Sequence, residues 1–86
     1  MEKLTDLPNI GRVLAKKLNI IGITNKNELK TIGSENAIIK IFTIEKNGAC
    51  LIMLYALEGA IQGIRWHNLD EDKKQELKYF YQSLNR

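Results

Sequence analysis

The amino-acid sequence predicts an all-α fold, a compact bundle of five helices. Apolar residues recur at steps of three and four along nearly the whole chain, and no stretch alternates apolar and polar residues for long enough to form a strand. Glycine and asparagine mark the ends of the periodic segments. The chain has 86 residues, of which 44% are hydrophobic. That length has room for one core, so we expect a single domain over residues 1–86.

The first predicted helix covers about residues 11–21. One face of it carries the apolar residues Ile10, Val13, Leu14, Leu18 and Ile21. Gly22 is expected to end the helix in a left-handed conformation, which would let Ile23 fold back onto Leu18.

The next segment predicts a short helix over residues 26–32. Asn25 and Glu28 have the spacing of a capping box, with Asn in place of the usual Ser or Thr. Gly33 is expected to close this helix, and Ser34 is expected to be the N-cap of a third.

The third helix is predicted to bury one apolar face and to end at a turn. The buried residues are Ile38, Ile39, Ile41 and Phe42. Glu35 lies in the first turn, where the helix dipole favours a negative charge. The pair Asn47–Gly48 favours a turn with positive φ and is expected to stop the helix.

The fourth helix, about residues 49–65, is predicted to be the centre of the bundle because it has little polar face. Its apolar residues are Leu51, Ile52, Met53, Leu54, Tyr55, Leu57, Ile61 and Ile64. Small residues three or four apart would let a neighbouring backbone approach closely; they are Ala56, Gly59, Ala60 and Gly63. The apolar stretch is shorter than the roughly 20 residues that cross a bilayer, so we expect a buried helix and no membrane contact.

A fifth helix is predicted to follow Asp70, its N-cap. Its inner face would be formed by Leu77, Phe80, Tyr81 and Leu84.

Glu58 is the one carboxylate of the fourth helix and shares a face with Gln62 and Arg65. Two roles are open for that stripe: an exposed or ion-paired edge, or a polar network that joins the fourth helix to the basic first helix.

The segment Leu7-Pro8-Asn9-Ile10-Gly11 resembles the hairpin of a helix-hairpin-helix element. Asn9 stands where the hairpin usually has its first glycine, and asparagine tolerates positive φ. The resemblance implies that backbone N–H groups are exposed at the start of a helix, where the dipole favours a phosphate oxygen. The candidate nucleic-acid-binding residues are Asn9, Ile10 and Gly11 through their amides, and Arg12, Lys16 and Lys17 through their charges.

The net positive charge of the chain comes from the part of the sequence that contains this hairpin. Residues 1–33 contain six Lys or Arg and three Asp or Glu, whereas residues 34–86 contain seven of each. The formal net charge of +3 is modest for a nucleic-acid-binding domain. The basic face of the first helix is therefore either a phosphate-binding surface or a solvated surface without a partner.

The remaining reactive side chains indicate structure rather than catalysis. Cys50 and His67 are each the only residue of their type, too few for a closed zinc site, and Cys50 is expected to be buried. Trp66 is expected to plug the core, and stacking on a base is the alternative. We therefore expect a non-enzymatic protein with no cofactor and no small-molecule substrate. A lone cysteine and the absence of a leader segment favour the reducing cytoplasm.

A larger resemblance covers about residues 4–78. Four parts of the sequence are together similar to the C-terminal domain of the TfoX competence-regulator family. They are the hairpin, Leu18 with Gly22–Ile23, Glu28–Leu29 with Ile32–Gly33, and Leu54–Trp66 with Leu69. This resemblance implies an all-α bacterial domain with a helix-hairpin-helix-like start, here in its stand-alone form. It brings no catalytic residues.

Two functions are open at this point. One is weak, sequence-independent contact of the hairpin with a nucleic-acid backbone, in a regulator of DNA-uptake competence. The other is a protein-protein interaction module or homodimeric adaptor, in which the hairpin serves only packing.

Overall fold

The backbone is helical over most of its length. The computed structural model describes residues 3–84. Within them lie five α-helices: α1 Arg12–Ile20, α2 Lys26–Ile32, α3 Ser34–Ile44, α4 Leu51–Gln62 and α5 Glu71–Leu84. Short 3-10 turns occur at Leu4–Asp6, Lys46–Gly48 and Trp66–Asn68, and over the same residues β pairing is limited to one bridge between Lys3 and Asn25. The predicted all-α fold with five helices is confirmed.

α1 ends as the sequence predicts. Gly22 has a φ of 90°, and the N–H of Ile23 donates to the Leu18 carbonyl at 2.9 Å, which is the long bond of a Schellman motif. Val13 departs from the prediction, because it is 71% exposed. Leu14 and Ala15 of the same turn are buried, so Val13 lies on the solvent side of α1.

α2 is capped by Asn25, whose side chain accepts a hydrogen bond from the N–H of Glu28 at 2.9 Å. The Glu28 carboxylate accepts from the N–H and the hydroxyl of Thr24, at 2.7 and 2.8 Å. These bonds lower the pKa of Glu28, with a smaller contribution from the backbone N–H of Asn25. The cap is therefore complete while Glu28 is ionised and weakens as the pH falls through that lowered pKa. Gly33, with a φ of 84°, closes α2 as predicted.

Ser34 is not the N-cap of α3. It is the first helical residue, and Gly33 occupies the cap position. The Ser34 hydroxyl instead donates to the Glu58 carboxylate of α4 at 2.7 Å. The prediction is wrong because a partner in a distant helix competes with the local capping bond.

The buried face of α3 is narrower than predicted. Ile38 and Ile41 are buried and Phe42 packs against the core, whereas Ile39 is exposed. α3 ends at Ile44, before Asn47–Gly48, and neither residue of that pair has positive φ. Both the predicted burial of Ile39 and the predicted positive-φ turn are wrong.

α4 is the centre of the bundle, as predicted. It packs between α3 and α5, and Leu54, Leu57 and Ala60 have no exposed surface. Each buried leucine stabilises the fold by about 2 kcal/mol relative to an exposed one. Among residues 3–84 no helix is long and apolar enough to cross a membrane.

α4 ends at Gln62, earlier than predicted. Gly63 is left-handed, with φ 77° and ψ 28°, and the N–H of Ile64 donates to the Gly59 carbonyl at 2.9 Å. This closing geometry is the one seen at the end of α1. Arg65 therefore lies outside the helix in which the sequence placed it.

α5 follows Asp70, whose carbonyl accepts from the N–H of Lys74 at 2.9 Å. Its inner face is the predicted one: Leu77 is fully buried, and Phe80, Tyr81 and Leu84 pack against the core. The Tyr81 hydroxyl donates to the Ala49 carbonyl at 3.3 Å. This bond ties α5 to the segment that begins α4.

Candidate nucleic-acid interface

The hairpin before α1 is anchored by two buried side chains. Leu7 and Ile10 are buried, while Pro8 and Asn9 between them are half-buried. Asn9 has a φ of 70°, in the left-handed region that asparagine tolerates better than most residues. The expectation that Asn9 can take the place of a glycine is met.

The Asn9 side chain turns inward and joins the hairpin to the segment after α4. Its Nδ2 donates to the carbonyl of Ile64 at 2.9 Å and, more weakly, to that of Ala56 at 3.4 Å. Its Oδ1 accepts from the N–H of Trp66 at 3.1 Å. The backbone groups of Ile64 and Trp66 lie beyond the end of α4, where they have no helical partners. We call this set of three hydrogen bonds the Asn9 clamp.

The Asn9 clamp requires a glycine at position 59. A Cβ there would lie 2.5 Å from Asn9 Nδ2 and 2.8 Å from the carbonyl oxygen of Ile64, well inside van der Waals contact. The predicted close approach at the small residues of α4 is therefore found at Gly59. The approaching groups are the hairpin and the turn after α4, not another helix.

The amides at the start of α1 fall into two groups. The N–H of Ile10 donates to the Leu7 carbonyl at 3.4 Å, so it already has an acceptor within the chain, and its contact with a phosphate stays a prediction. The N–H groups of Gly11, Arg12 and Val13 have no acceptor among residues 3–84, and all three residues are exposed. The open donors thus lie further into the helix than predicted.

Gly11 gives an anion close access to these amides. It is the N-cap of α1 with an extended backbone and no side-chain cap, and nothing lies within 4 Å of the place where a Cβ would be. The helix dipole adds partial positive charge at this point. The Asn9 N–H also has no acceptor in the described part of the chain, but it belongs to a half-buried residue.

Two of the three predicted cations have no ion-pair partner among residues 3–84. Arg12 and Lys16 are exposed on α1, within about one turn of the open amides. Lys17 is not, because its Nζ lies 3.0 Å from the Glu45 carboxylate and its side chain is only 17% exposed. The predicted phosphate contact of Lys17 stays a prediction, and it would have to compete with the pairing to Glu45, the residue that follows α3.

Arg65 is a cation that the sequence analysis did not place at the hairpin. It is exposed, and the Asn9 clamp holds the residues on both sides of it, through the Ile64 carbonyl and the Trp66 N–H. Arg65 and the hairpin are therefore neighbours. Gly63 is the signal that could have revealed this, because a glycine after an apolar helix commonly ends it.

Three rings follow one another beside Arg65. Tyr55 is buried, Trp66 is half-buried and His67 is exposed. The ring centroids of Tyr55 and Trp66 are 5.6 Å apart and those of Trp66 and His67 are 3.9 Å apart, both in stacked geometry. Trp66 thus borders the core, whereas the sequence analysis expected it to plug the core.

Cys50 lies at the N-cap of α4 and is exposed. The expectation that Cys50 is buried is wrong, because α4 begins at Leu51 and leaves Cys50 outside the helix. Within the described span, no three His, Cys, Asp or Glu side chains are grouped closely enough to hold a metal ion.

Glu58 joins α4 to α3. Its carboxylate accepts from the Ser34 hydroxyl at 2.7 Å and from the Gln62 amide at 2.8 Å. The predicted network toward the basic first helix is wrong, because the helix carries Glu58 toward the start of α3. Arg65 is not part of this stripe, since it lies beyond the end of α4.

Glu35 lines the same surface hollow as Glu58, together with Lys73 and Glu76 of α5. Burial, and then the charge of Glu76, raise the pKa of the Glu35 carboxyl. The folded state therefore disfavours the ionised form. The stabilising contribution of protonated Glu35 is present at acid pH and is lost as the pH rises through the raised pKa.

Glu35→Gln is expected to raise the melting temperature at neutral pH by about one or two degrees. The effect is small because solvent screening limits a partly exposed group to a few tenths of a kcal/mol. Near pH 4, where the carboxyl is largely protonated, the variant and the wild type should melt more nearly alike. Thermal melts followed by circular dichroism at both pH values test this. A variant less stable than the wild type at neutral pH would show that the helix dipole of α3 outweighs the neighbours of Glu35.

Comparisons with known proteins agree with the fold. A family model described as the TfoX C-terminal domain matches residues 1–81. A crystal structure of an uncharacterized protein from Listeria monocytogenes, in a triclinic form, has a TM-score of 0.95 and 52% sequence identity, covering 98% of this chain and 94% of that one. A tetragonal form of a protein of unknown function from the same organism has a TM-score of 0.90 and 54% identity, covering 93% of this chain and 98% of that one. No match was found among curated proteins.

The family match spans nearly the whole chain and begins at the hairpin side of the molecule. It includes the Asn9 clamp, the open amides of α1 and the stacked rings. The chain therefore belongs to the TfoX C-terminal domain family.

Proposed function

We propose that the start of α1 binds phosphate groups of nucleic acid, weakly and without regard to base sequence. One observation carries the proposal: the N–H groups of Gly11, Arg12 and Val13 have no acceptor among residues 3–84 and lie at an exposed helix start. Free donors together with the positive end of the helix dipole favour an anion. Phosphate contacts position a nucleic acid but carry no sequence information.

The charges around these amides support the same ligand. Arg12 and Lys16 are exposed on α1, and Arg65 is held next to the hairpin by the Asn9 clamp. Three cations around one group of open donors can neutralise two or three phosphates of a strand. Contacts of that number bind with a Kd of about 10⁻⁴ to 10⁻⁶ M at physiological salt.

The double substitution Arg12→Glu/Lys16→Glu is expected to weaken DNA binding by about tenfold or more at low salt. The dependence of log K on log salt should also become shallower, by about one for each lost phosphate contact. Fluorescence anisotropy with labelled duplex DNA, repeated over a salt series, measures both quantities.

The matched control is Lys40→Glu/Lys46→Glu, which changes the net charge by the same amount. Both lysines are exposed, and Lys40 lies beside Ile21, at the opposite end of α1 from the hairpin. If the control weakens binding as much as the test variant, the protein attracts DNA only by its net charge. If neither variant changes the affinity, or if the wild type does not bind, the proposal is wrong.

The biological setting we propose is regulation of DNA uptake, the role associated with the TfoX family. Weak contact with a nucleic-acid backbone is a useful activity in such a setting. We propose that the chain acts there by binding and not by catalysis, in the cytoplasm, without a cofactor.

A second candidate function is self-association as an adaptor. Ile20 and Ile44 are 59% and 60% exposed and line one groove with Ile21 at the ends of α1 and α3. Exposed apolar side chains grouped in this way are typical of interaction sites. Light scattering over a concentration series tests it: a monomer at all concentrations would remove this candidate.

A further inference from the structure

We propose that the exposed ring of His67 is a stacking platform for one unpaired base, so that the chain prefers single-stranded nucleic acid. The inference rests on the proposed function, because the hairpin would hold the phosphates of the same strand. It names the class of nucleic acid that the site accepts.

The rings form a graded stack from the core to the solvent. Tyr55 is buried, Trp66 lies 5.6 Å from it at an interplanar angle of 22°, and His67 lies 3.9 Å from Trp66 at 26°. His67 is exposed and Trp66 stacks on one face of its ring, so the proposal assigns the base to the other face. A flat ring supported from behind by a second ring loses little conformational freedom when a base stacks on it.

The backbone beneath the stack is held at several points. The N–H of Trp66 donates to Asn9 Oδ1 at 3.1 Å, and the carbonyl of Trp66 accepts from the N–H of Leu69 at 3.1 Å. The carbonyl of His67 accepts from Lys74 Nζ at 3.1 Å. The ring of His67 is therefore positioned before any ligand arrives.

Arg65 suits the phosphates that accompany a stacked base, because it is exposed and immediately precedes Trp66. Lys74 Nζ lies 5.9 Å from the centroid of the Trp66 ring, but it is paired with the Glu71 carboxylate at 3.6 Å, so it supports the rings and does not serve as a phosphate contact. The Asn9 clamp joins the hairpin to the backbone of Trp66, the residue before His67. A single strand can therefore place a phosphate at the start of α1 and a nearby base on His67.

Duplex nucleic acid cannot use this platform without losing pairing. The bases of a duplex stack on their neighbours, and extruding one is unfavourable by a few kcal/mol. A single strand has no such penalty, and stacking on an aromatic ring tolerates any base. The ring of His67 thus distinguishes single strands from duplexes where the hairpin does not.

The test uses a fluorescein-labelled thymidine oligonucleotide of about twelve nucleotides, within the site sizes known for single-strand binders, and a duplex of the same length. His67→Ala is expected to weaken single-strand binding by about fivefold or more and to leave duplex binding unchanged. His67→Phe should restore single-strand binding, because it returns a ring. His67→Lys should not, because it supplies a charge without a ring.

Tyr79→Ala is the control for loss of an exposed aromatic ring. Tyr79 is 70% exposed on α5 and is not one of the three stacked rings. Trp66 is the only tryptophan of the chain, so its fluorescence gives a second readout, which should change with the single strand and not with the duplex. Equal melting temperatures show that the His67 variants remain folded.

The outcomes separate this inference from the proposed function. If neither single strand nor duplex binds the wild type, both are wrong. If both bind and His67→Ala weakens neither, or weakens both equally, the phosphate site stands and the platform is wrong. The platform is also wrong if His67→Lys binds single strands as the wild type does, since charge and not stacking would then be responsible.

Discussion

Gly59→Ala is expected to lower the melting temperature by about 10 to 20 °C. The new Cβ would lie 2.5 Å from Asn9 Nδ2 and 2.8 Å from the Ile64 carbonyl oxygen. Neither group can move freely, because the two are hydrogen-bonded to each other at 2.9 Å. Overpacking and the loss of one or two of these bonds destabilise by about 2 to 3 kcal/mol. In a domain of this size each kcal/mol shifts the melting temperature by roughly 4 to 8 °C.

The control for this substitution is Gly11→Ser. Gly11 has an extended backbone and nothing within 4 Å of a Cβ position, and serine is a favourable N-cap. Gly11→Ser should therefore keep or slightly raise the melting temperature. Thermal melts by circular dichroism compare the three proteins. A Gly59→Ala variant as stable as the wild type would mean that the hairpin can leave Gly59 without loss, and the Asn9 clamp would not stabilise the fold.

The ends of the helices show what local sequence signals can predict. Gly22 and Gly63 are both left-handed and both close a helix. The end of α1 was predictable at Gly22, because polar residues follow soon after it. The end of α4 at Gly63 was not predicted, because apolar residues continue through Ile64 and Trp66 and sustain the helical period. The spacing of apolar residues reports burial as well as helical structure. Here partly buried residues continue after α4 has ended, so the spacing alone places the end of the helix too late.

The candidate site was predicted in part, and the missing part is long-range. The hairpin, Arg12 and Lys16 were predictable because the helix start and its polar face are local features. The pairing of Lys17 with Glu45 and the position of Arg65 depend on contacts between distant segments. One sequence without its fold carries no information about such pairs.

Asn9 illustrates the same limit within one residue. Its positive φ was predictable, because asparagine is among the few residues that adopt it. The predicted phosphate contact of Asn9 used only its backbone amide, and no partner was predicted for its side chain. The structure turns the side chain inward to Ile64 and Trp66. The departure from glycine thus leaves the outer face of the hairpin open and adds a link to α4.

Asn9→Gly is expected to destabilise the fold by about 2 kcal/mol, which lowers the melting temperature by roughly 10 °C. Glycine keeps the positive φ, so the loss isolates the side-chain bonds to Ile64 and Trp66 from backbone strain. Asn9→Ala should be worse by about 1 kcal/mol, because alanine is disfavoured in the left-handed region. Chemical denaturation of both variants measures the two terms. Equal stability of Asn9→Gly and the wild type would show that the three bonds contribute nothing net.

A double-mutant cycle links the two largest effects. In the Asn9→Gly background the Nδ2 that collides with a Cβ at position 59 is gone, so Gly59→Ala should cost less there by about 1 kcal/mol or more. Simple additivity would mean that Asn9 and Gly59 act separately.

The Asn9→Gly variant also tests the site, because it leaves the N–H groups of Gly11 and Arg12 in place but frees the turn that carries Arg65. If the clamp brings Arg65 to the phosphates, Asn9→Gly should weaken DNA binding. Arg65→Glu should then reduce the affinity for DNA less in the Asn9→Gly background than it does in the wild type.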